Sequence, residues 1–260
     1  MEKAYLITEN TDLNQDFSEY DRLYIWDACC EHNLVSFLKN SKFLKLIFSF
    51  KKNITIVTSS ISNKNIDLIQ DIIIKISKLN NIYKLKKLEI VINDFWLFYW
   101  LLNSKTDVDF IWWNFMILQQ KDPYFVNMKH LWDDTLTIDS QIYDKYFSSN
   151  RVKFVEVYNV FQWVKNKYYF DLTLYYPYVV FSITRYCPTG LIEKNMKHLT
   201  IVEDCIWCRW ITNTLSMELT LWDKSVTNYY LWNKQFYKND EMIKNDKIKR
   251  IVYNYDVYKK

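Results

Sequence analysis

Short apolar strand patterns alternate with helical patterns along most of this chain, and that alternation limits its fold more than any other feature. "RLYIW" (22–26) reads as a short buried strand, and "EHNLVSFLKNSKFLKLIFSF" follows with helical spacing from Leu34, Phe37 and Leu38 onward. "ITIVTS" (54–59) is a second strand. "NIDLIQDIIIKISKLNN" (65–81) is an amphipathic helix, with Ile66, Ile69, Ile73 and Ile76 three or four residues apart. "KLEIVIN" (87–93) is a third strand, followed by a helix in "DFWLFYWLLNS"; "VDFIWW" (108–113), "RVKFVEV" (151–157) and "YVVFSI" (178–183) continue the series. Strands recurring at intervals of roughly 30 residues with helices between them are the rhythm of βαβ units and a parallel sheet. Beyond Cys208 the texture changes: "MELTLWD" and "TNYYLWN" read as an antiparallel pair closing the domain. The late stretch "KNDEMIKNDKIKR" mixes bases with acids and reads as a solvated helix or tail. No linker rich in Pro, Gly or Ser interrupts the chain, so residues 1–260 are expected to form a single domain. The predicted fold is α/β: a parallel β/α barrel (TIM-like), complete or incomplete, with a small antiparallel C-terminal addition.

The chain has one glycine in 260 residues. A Gly-rich phosphate loop and a dinucleotide fingerprint both need backbone without Cβ close to phosphate, so P-loop and Rossmann chemistry are excluded. Turns are expected to lean on Asn and Asp, which tolerate left-handed backbone. A net charge of +4, from 34 basic and 30 acidic residues, forms no concentrated basic stripe and does not argue for a nucleic-acid protein. There is no apolar run near the length of a membrane span, and "MEKAYLITENTDLNQ" lacks the basic-then-apolar order of a signal peptide. The expectation is a soluble, cytoplasmic protein with no transmembrane segment.

In a β/α barrel the chemistry sits where strands end and helices begin. Those positions carry Asp27, Asn93 and Asp94, Asn114, Glu156 and Asn159, and Arg185. Asp94 and Asn159 are expected to cap the helices that follow them. Neither Glu nor Arg is a favoured cap, so Glu156 and Arg185, with Asp27 and Asn93, are the expected substrate-pocket residues. A structural ion pair between Arg185 and Glu156 is the competing reading.

Three of the five cysteines gather in "SITRYCPTGLIEKNMKHLTIVEDCIWCRW" (182–210). Cys29 and Cys30 lie just past the "RLYIW" strand. Joined across the barrel end, Cys30, Cys187, Cys205 and Cys208 offer the four thiolates that a tetrahedral zinc or a [4Fe–4S] cluster requires. A buried-hydrophobe role suits Cys29 but fits poorly a Cys-x-x-Cys with a third thiol upstream. Which of Cys29 and Cys30 is the first ligand stays open. The histidines, His32, His130 and His198, are scattered; His32 is either a spare ligand or an ordinary helix-start residue.

"YIWDACC", "LEIVINDFWLFYWLL", "YYPYVVFSITRYCPTG", "EDCIWC" and "YLWNKQFY" together resemble peptidase family U-32, the collagenase-like proteases. They are most similar to its short members, the paired iron–sulfur proteins of oxygen-independent ubiquinone hydroxylation. The pieces occur in the family's order and span most of the chain. The resemblance implies a [4Fe–4S] cluster with Cys30 as first ligand, Cys187 as second, and Cys205 and Cys208 as the last two. It also implies a related subunit as partner, with a small molecule or RNA as substrate. Departures are visible: Trp or Asn stands where relatives have glycine in strand-end loops, and the interval from Cys187 to Cys205 is long. No Ser–His–Asp or Cys–His–Asn arrangement is legible, so classical proteolysis is not expected. Compact zinc sites usually come as two close Cys pairs, whereas here only one pair is local. Tyr186, Trp207 and Trp210 adjoin the thiols in sequence, and a solvent-excluding shell suits iron–sulfur better than zinc, which remains the alternative. Three expectations follow: a cluster protein acting in or assisting an oxygen-independent hydroxylation or related anaerobic modification; a non-catalytic metal-stapled partner of a catalytic barrel; or an RNA-modifying hydroxylase.

Overall fold

A computed structural model describes residues 1–8, 11–26, 31–61, 65–85, 88–104, 106–113, 119, 121, 141–161, 170–183, 215–221, 224–231 and 234–258. Eight parallel strands close into a barrel in the order β1-β12-β7-β6-β5-β4-β3-β2. They are β1 (Glu2–Ile7), β2 (Arg22–Trp26), β3 (Asn53–Val57), β4 (Leu88–Ile92), β5 (Val108–Trp112), β6 (Val152–Tyr158), β7 (Asp171–Tyr176) and β12 (Ile248–Tyr253). A second sheet, order β8-β11-β10-β9, is antiparallel and comprises β8 (Tyr178–Ile183), β9 (Leu215–Leu221), β10 (Lys224–Leu231) and β11 (Lys234–Lys238). The expected parallel barrel is therefore present, and complete.

Three strand assignments change. "YVVFSI" is not a barrel strand: β8 pairs antiparallel with β11 in the small sheet. The places in the barrel are taken by β1, at the start of the chain, and by β7. The last strand comes from "KNDEMIKNDKIKR", expected to be solvated: Ile248, Arg250, Ile251 and Val252 are buried in β12, which pairs with both β1 and β7 and closes the barrel. Its charges misled because Lys249 faces out while Arg250 faces in, a period of two that a charge run conceals.

The other barrel strands are apolar on both faces because helices cover the outside. All five residues of β4 (LEIVI) and of β5 (VDFIW) are buried. Outside pack α1 (Glu31–Lys39), α2 (Ser41–Ser49), α3 (Ile66–Ile82), α4 (Phe95–Asn103) and α5 (Gln141–Ser149). The long predicted first helix is two, divided at Asn40, whose side chain accepts a hydrogen bond from the Phe43 amide and caps α2. Ile69, Ile72, Ile73 and Ile76 form the buried stripe of α3. Asp94 caps α4 as expected, accepting from the amides of Trp96 and Leu97.

The turns that leave α2, α3 and α5 for the next strand use left-handed backbone at Lys51, Lys84 and Arg151 (φ 55°, 53° and 62°). Glycine usually ends helices this way. With almost no glycine in the chain, basic residues occupy those positions in place of the Asn and Asp expected from the sequence, and each costs about 1–2 kcal/mol of backbone strain.

Candidate active site in the barrel interior

Alternation along the strands turns a set of polar side chains into the barrel. At its N-terminal end Glu2 (β1), Arg22 (β2), Glu89 (β4) and Arg250 (β12) form a closed ionic ring. Arg22 Nε lies 2.7 Å from Glu2 Oε1, and Arg250 Nε lies 2.6 Å from Glu2 Oε2. Arg250 also forks onto Glu89, with Nη1–Oε2 2.7 Å and Nη2–Oε1 3.1 Å. Arg22 Nη1 reaches Glu89 Oε2 at 3.2 Å, and Thr55 and Tyr24 complete the set. Two acids meet two bases, so the ring is neutral overall. Burial pushes the Glu2 carboxyl up, but Arg22 and Arg250 outweigh it and hold Glu2 below the ordinary carboxylate range. Conserving net charge and filling its hydrogen bonds makes this layer a structural plug at the bottom of the barrel.

One turn of alternation higher, toward the strand C-termini, Glu156 of β6 and Thr173 of β7 stand side by side in register, both fully buried. Glu156 Oε1 accepts a hydrogen bond from Tyr175 Oη at 2.8 Å. Among the described residues Glu156 Oε2 and Thr173 Oγ1 have no hydrogen-bond partner. Burial raises the Glu156 carboxyl well above its ordinary range, against the smaller pulls of the Tyr175 bond and of Arg250. Glu156 therefore keeps its proton to higher pH than an ordinary carboxyl. Since Tyr175 donates to Oε1, a proton carried by this carboxyl belongs on Oε2, the oxygen without a hydrogen-bond partner among the described residues. Tyr24 and Tyr158 pack against Tyr175 with ring centroids 6.2 and 5.3 Å away, and Lys121 Nζ lies 4.9 Å from the Tyr158 ring centroid. The arrangement is a phenol-walled layer in which one carboxyl oxygen and one hydroxyl are without hydrogen-bond partners among the described residues. It can donate hydrogen bonds to an oxygen and protonate it.

The small sheet is fastened to this same end. Asn159, just past β6, donates to the carbonyls of Asn239 (2.8 Å) and Glu241 (3.0 Å), and Asn239 donates back to the Asn159 carbonyl (2.9 Å). Asn254, just past β12, exchanges hydrogen bonds with the backbone of Tyr178 at the start of β8. Asn159 thus rivets two sheets, which corrects the expectation that it caps a helix; no helix begins there among the described residues.

Of the sequence-predicted pocket residues, Glu156 stands in the interior as described, and Asn93 ends β4 half-buried, next to the Asp94 cap. Asp27 and Arg185 lie outside the described residues, as do Cys29, Cys30, Cys187, Cys205 and Cys208, Asn114, His130 and His198. The expected Arg185 pairing of Glu156 therefore falls outside them too; within them its partner is Tyr175. Among the described residues no group of three or more His, Cys, Asp or Glu is placed to hold a metal ion. The sequence reading missed Arg22, Glu89, Thr173, Tyr175 and Arg250. Their signal was a lone polar residue at an inward position of an apolar strand, as in "LEIVI".

The fold and its interior define a closed parallel β/α barrel with a polar plug below and a buried carboxyl of raised pKa toward the mouth. No family model matches the sequence, and no curated protein matches it. A solved structure, the U32 peptidase Mk0906, is similar at 10% identity over 75% of this chain and 74% of that one, with a TM-score of 0.37. That likeness is too distant to carry a functional argument. Among the described residues no helix is long and apolar enough to cross a membrane.

Proposed function

We propose that this chain is an iron–sulfur barrel protein that carries out or assists an oxygen-independent hydroxylation or related anaerobic modification, with the substrate received in the barrel mouth above Glu156. The ligands of a [4Fe–4S] cluster are Cys30, Cys187, Cys205 and Cys208, four thiols whose chemistry fits such a cluster. One observation carries the reading: the segments bearing these cysteines depart from elements gathered at one end of the barrel. Cys30 follows the C-terminal end of β2 by four residues, Cys187 follows β8 by four, and Cys208 precedes β9 by seven. The sheet containing β8 and β9 is fastened to that end at its Tyr178 and Asn239 edge, and the segments toward Cys187 and Cys208 leave together from its opposite edge, at Ile183 and Leu215. At about 3.5 Å per residue, tethers of four and seven residues reach up to roughly 14 and 25 Å.

The cluster, when bound, supplies one-electron chemistry. The chain's own residues supply the rest. Glu156, neutral and held at Oε1 by Tyr175, presents its O–H to a substrate oxygen, and Thr173 adds a second hydroxyl beside it. The phenol rings of Tyr24, Tyr158 and Tyr175 exclude water from that bond.

The test is the full chain purified without oxygen. Iron and labile sulfide near four each per chain, lost in Cys208→Ala, are the expected result for one cluster. Stoichiometric zinc in place of iron contradicts the cluster. Full iron in Cys208→Ala removes that residue from the ligand set.

A further inference from the structure

Helices α3 and α4 are neighbours on the barrel and treat solvent differently. The outer face of α3 carries Asp67, Asp71, Lys75 and Lys78, all exposed, as a solvated helix should. Helix α4 (FWLFYWLLN) has no charged residue at all. Leu97, Phe98 and Leu101 face the barrel, yet Phe95, Trp96 and Tyr99 face out, and Trp96 is 72% exposed. A helix that is apolar all round is one that is covered on both sides.

The patch extends onto α5, where Ile142, Tyr143 and Tyr146 are exposed and Ile142 reaches 80%. The two helices are continuous through an aromatic layer beneath. Phe95 meets Trp112 at 5.5 Å, Trp112 meets Phe147 at 5.1 Å, Phe147 meets Tyr143 at 5.9 Å, and Phe98 meets Tyr146 at 6.3 Å. With roughly 200 Å² for each aromatic side chain, the six exposed residues present on the order of 700 Å² of contiguous apolar surface. That exceeds the largest patch of a typical monomer, about 300–600 Å². It approaches one side of a standard interface, about 800 Å².

We infer that the α4–α5 face is a docking surface for a second copy of this chain, packed about a two-fold axis. Charge decides between occupants. The only charged residues on α5 are Asp144 and Lys145, adjacent in sequence. Under a two-fold an acid of one copy meets a base of the other, so the face is self-complementary. A membrane surface would call for a rim rich in Lys and Arg, and α4 offers none. A partner of strong charge finds nothing to pair with.

Sedimentation equilibrium of the full chain tests this. The expected result is a dimer at micromolar concentration, weakened about thirtyfold or more by Trp96→Glu, as for an interface anchor. Ile82→Glu, at a residue of α3 that is 71% exposed but outside the patch, leaves the dimer unchanged. Tyr99→Ser gives the same direction as Trp96→Glu with less change in polarity, and a native far-ultraviolet spectrum in both excludes misfolding. A wild-type monomer at every concentration overturns the inference. So does a dimer indifferent to Trp96→Glu and Tyr99→Ser, equal weakening by Ile82→Glu, dimerisation only with a different chain, or a monomer that sediments with phosphatidylcholine vesicles.

Discussion

At the bottom of the barrel, Glu2, Arg22, Glu89 and Arg250 pair four charges, three of them buried; toward the mouth, Glu156 buries a carboxyl with one oxygen bound to Tyr175 and the other without a partner among the described residues. Both layers are inside the same strands and are walled by the same kinds of ring. The bottom layer supplies guanidinium groups that hold Glu2 below the ordinary carboxylate range. The upper layer gives Glu156 desolvation that outweighs the Tyr175 bond and the pull of Arg250 and Lys121, so its carboxyl is raised well above the ordinary range. A buried polar group that has been satisfied serves the fold, and one left with an available O–H is a candidate for chemistry.

The largest expected effect breaks the bottom layer. Arg250→Met leaves Glu89 buried without its fork, and stability falls by about 3–5 kcal/mol in denaturant titration. The double variant Arg250→Met with Glu89→Leu costs less than the sum of the single changes, because the two are in direct contact. A loss within about 0.5 kcal/mol for Arg250→Met would mean that the ring is solvated and not a plug.

The two carboxylates also titrate with opposite sign. Glu2 is depressed in the folded state, so its contribution is present above the unfolded carboxylate range and is lost as pH falls through its folded value. Glu156 is raised, so the folded state holds its proton longer than the unfolded chain. Its contribution is present at low pH and declines as pH climbs from about 4.3 toward its folded value. Glu156→Gln removes that decline, which for one proton is about 1.4 kcal/mol per pH unit. Stability measured from pH 4 to 7 is expected to lose this downward slope in the variant; an unchanged slope contradicts a neutral Glu156.

Smaller effects sharpen the boundary between structure and function. Asp94→Ala removes the carboxylate oxygen that accepts from the Trp96 and Leu97 amides at the start of α4 and costs about 1 kcal/mol in thermal or chemical unfolding. Thr173→Val replaces an unpartnered hydroxyl by a methyl of the same shape. It is expected to leave stability unchanged or raise it by less than about 1 kcal/mol, while weakening the modification activity. A loss of stability above that would reveal a structural partner for Thr173.

The barrel was legible because strands such as "ITIVTS" and "LEIVI", and a helix such as α3, carry their period on their surface. β12 was not, since its inward Arg250 and outward Lys249 read as one charge run. β8 has the apolar texture of a barrel strand, and nothing local shows that its partner is the antiparallel β11. Glu156 was singled out because Glu is a poor cap at a strand end. Its partner Tyr175 depends on the register of β6 against β7, and the ring through Glu2 and Arg250, separated by 248 residues, depends on closure of the barrel; no local pattern encodes either.

The measurement that tests this comparison most directly is infrared difference spectroscopy of the wild type against Glu156→Gln at pH 7. The account predicts a protonated carboxyl carbonyl band in the wild type that disappears in the variant. A carboxylate band lost in its place would show Glu156 ionised, and would contradict the division of the barrel interior into a satisfied plug and an available acid.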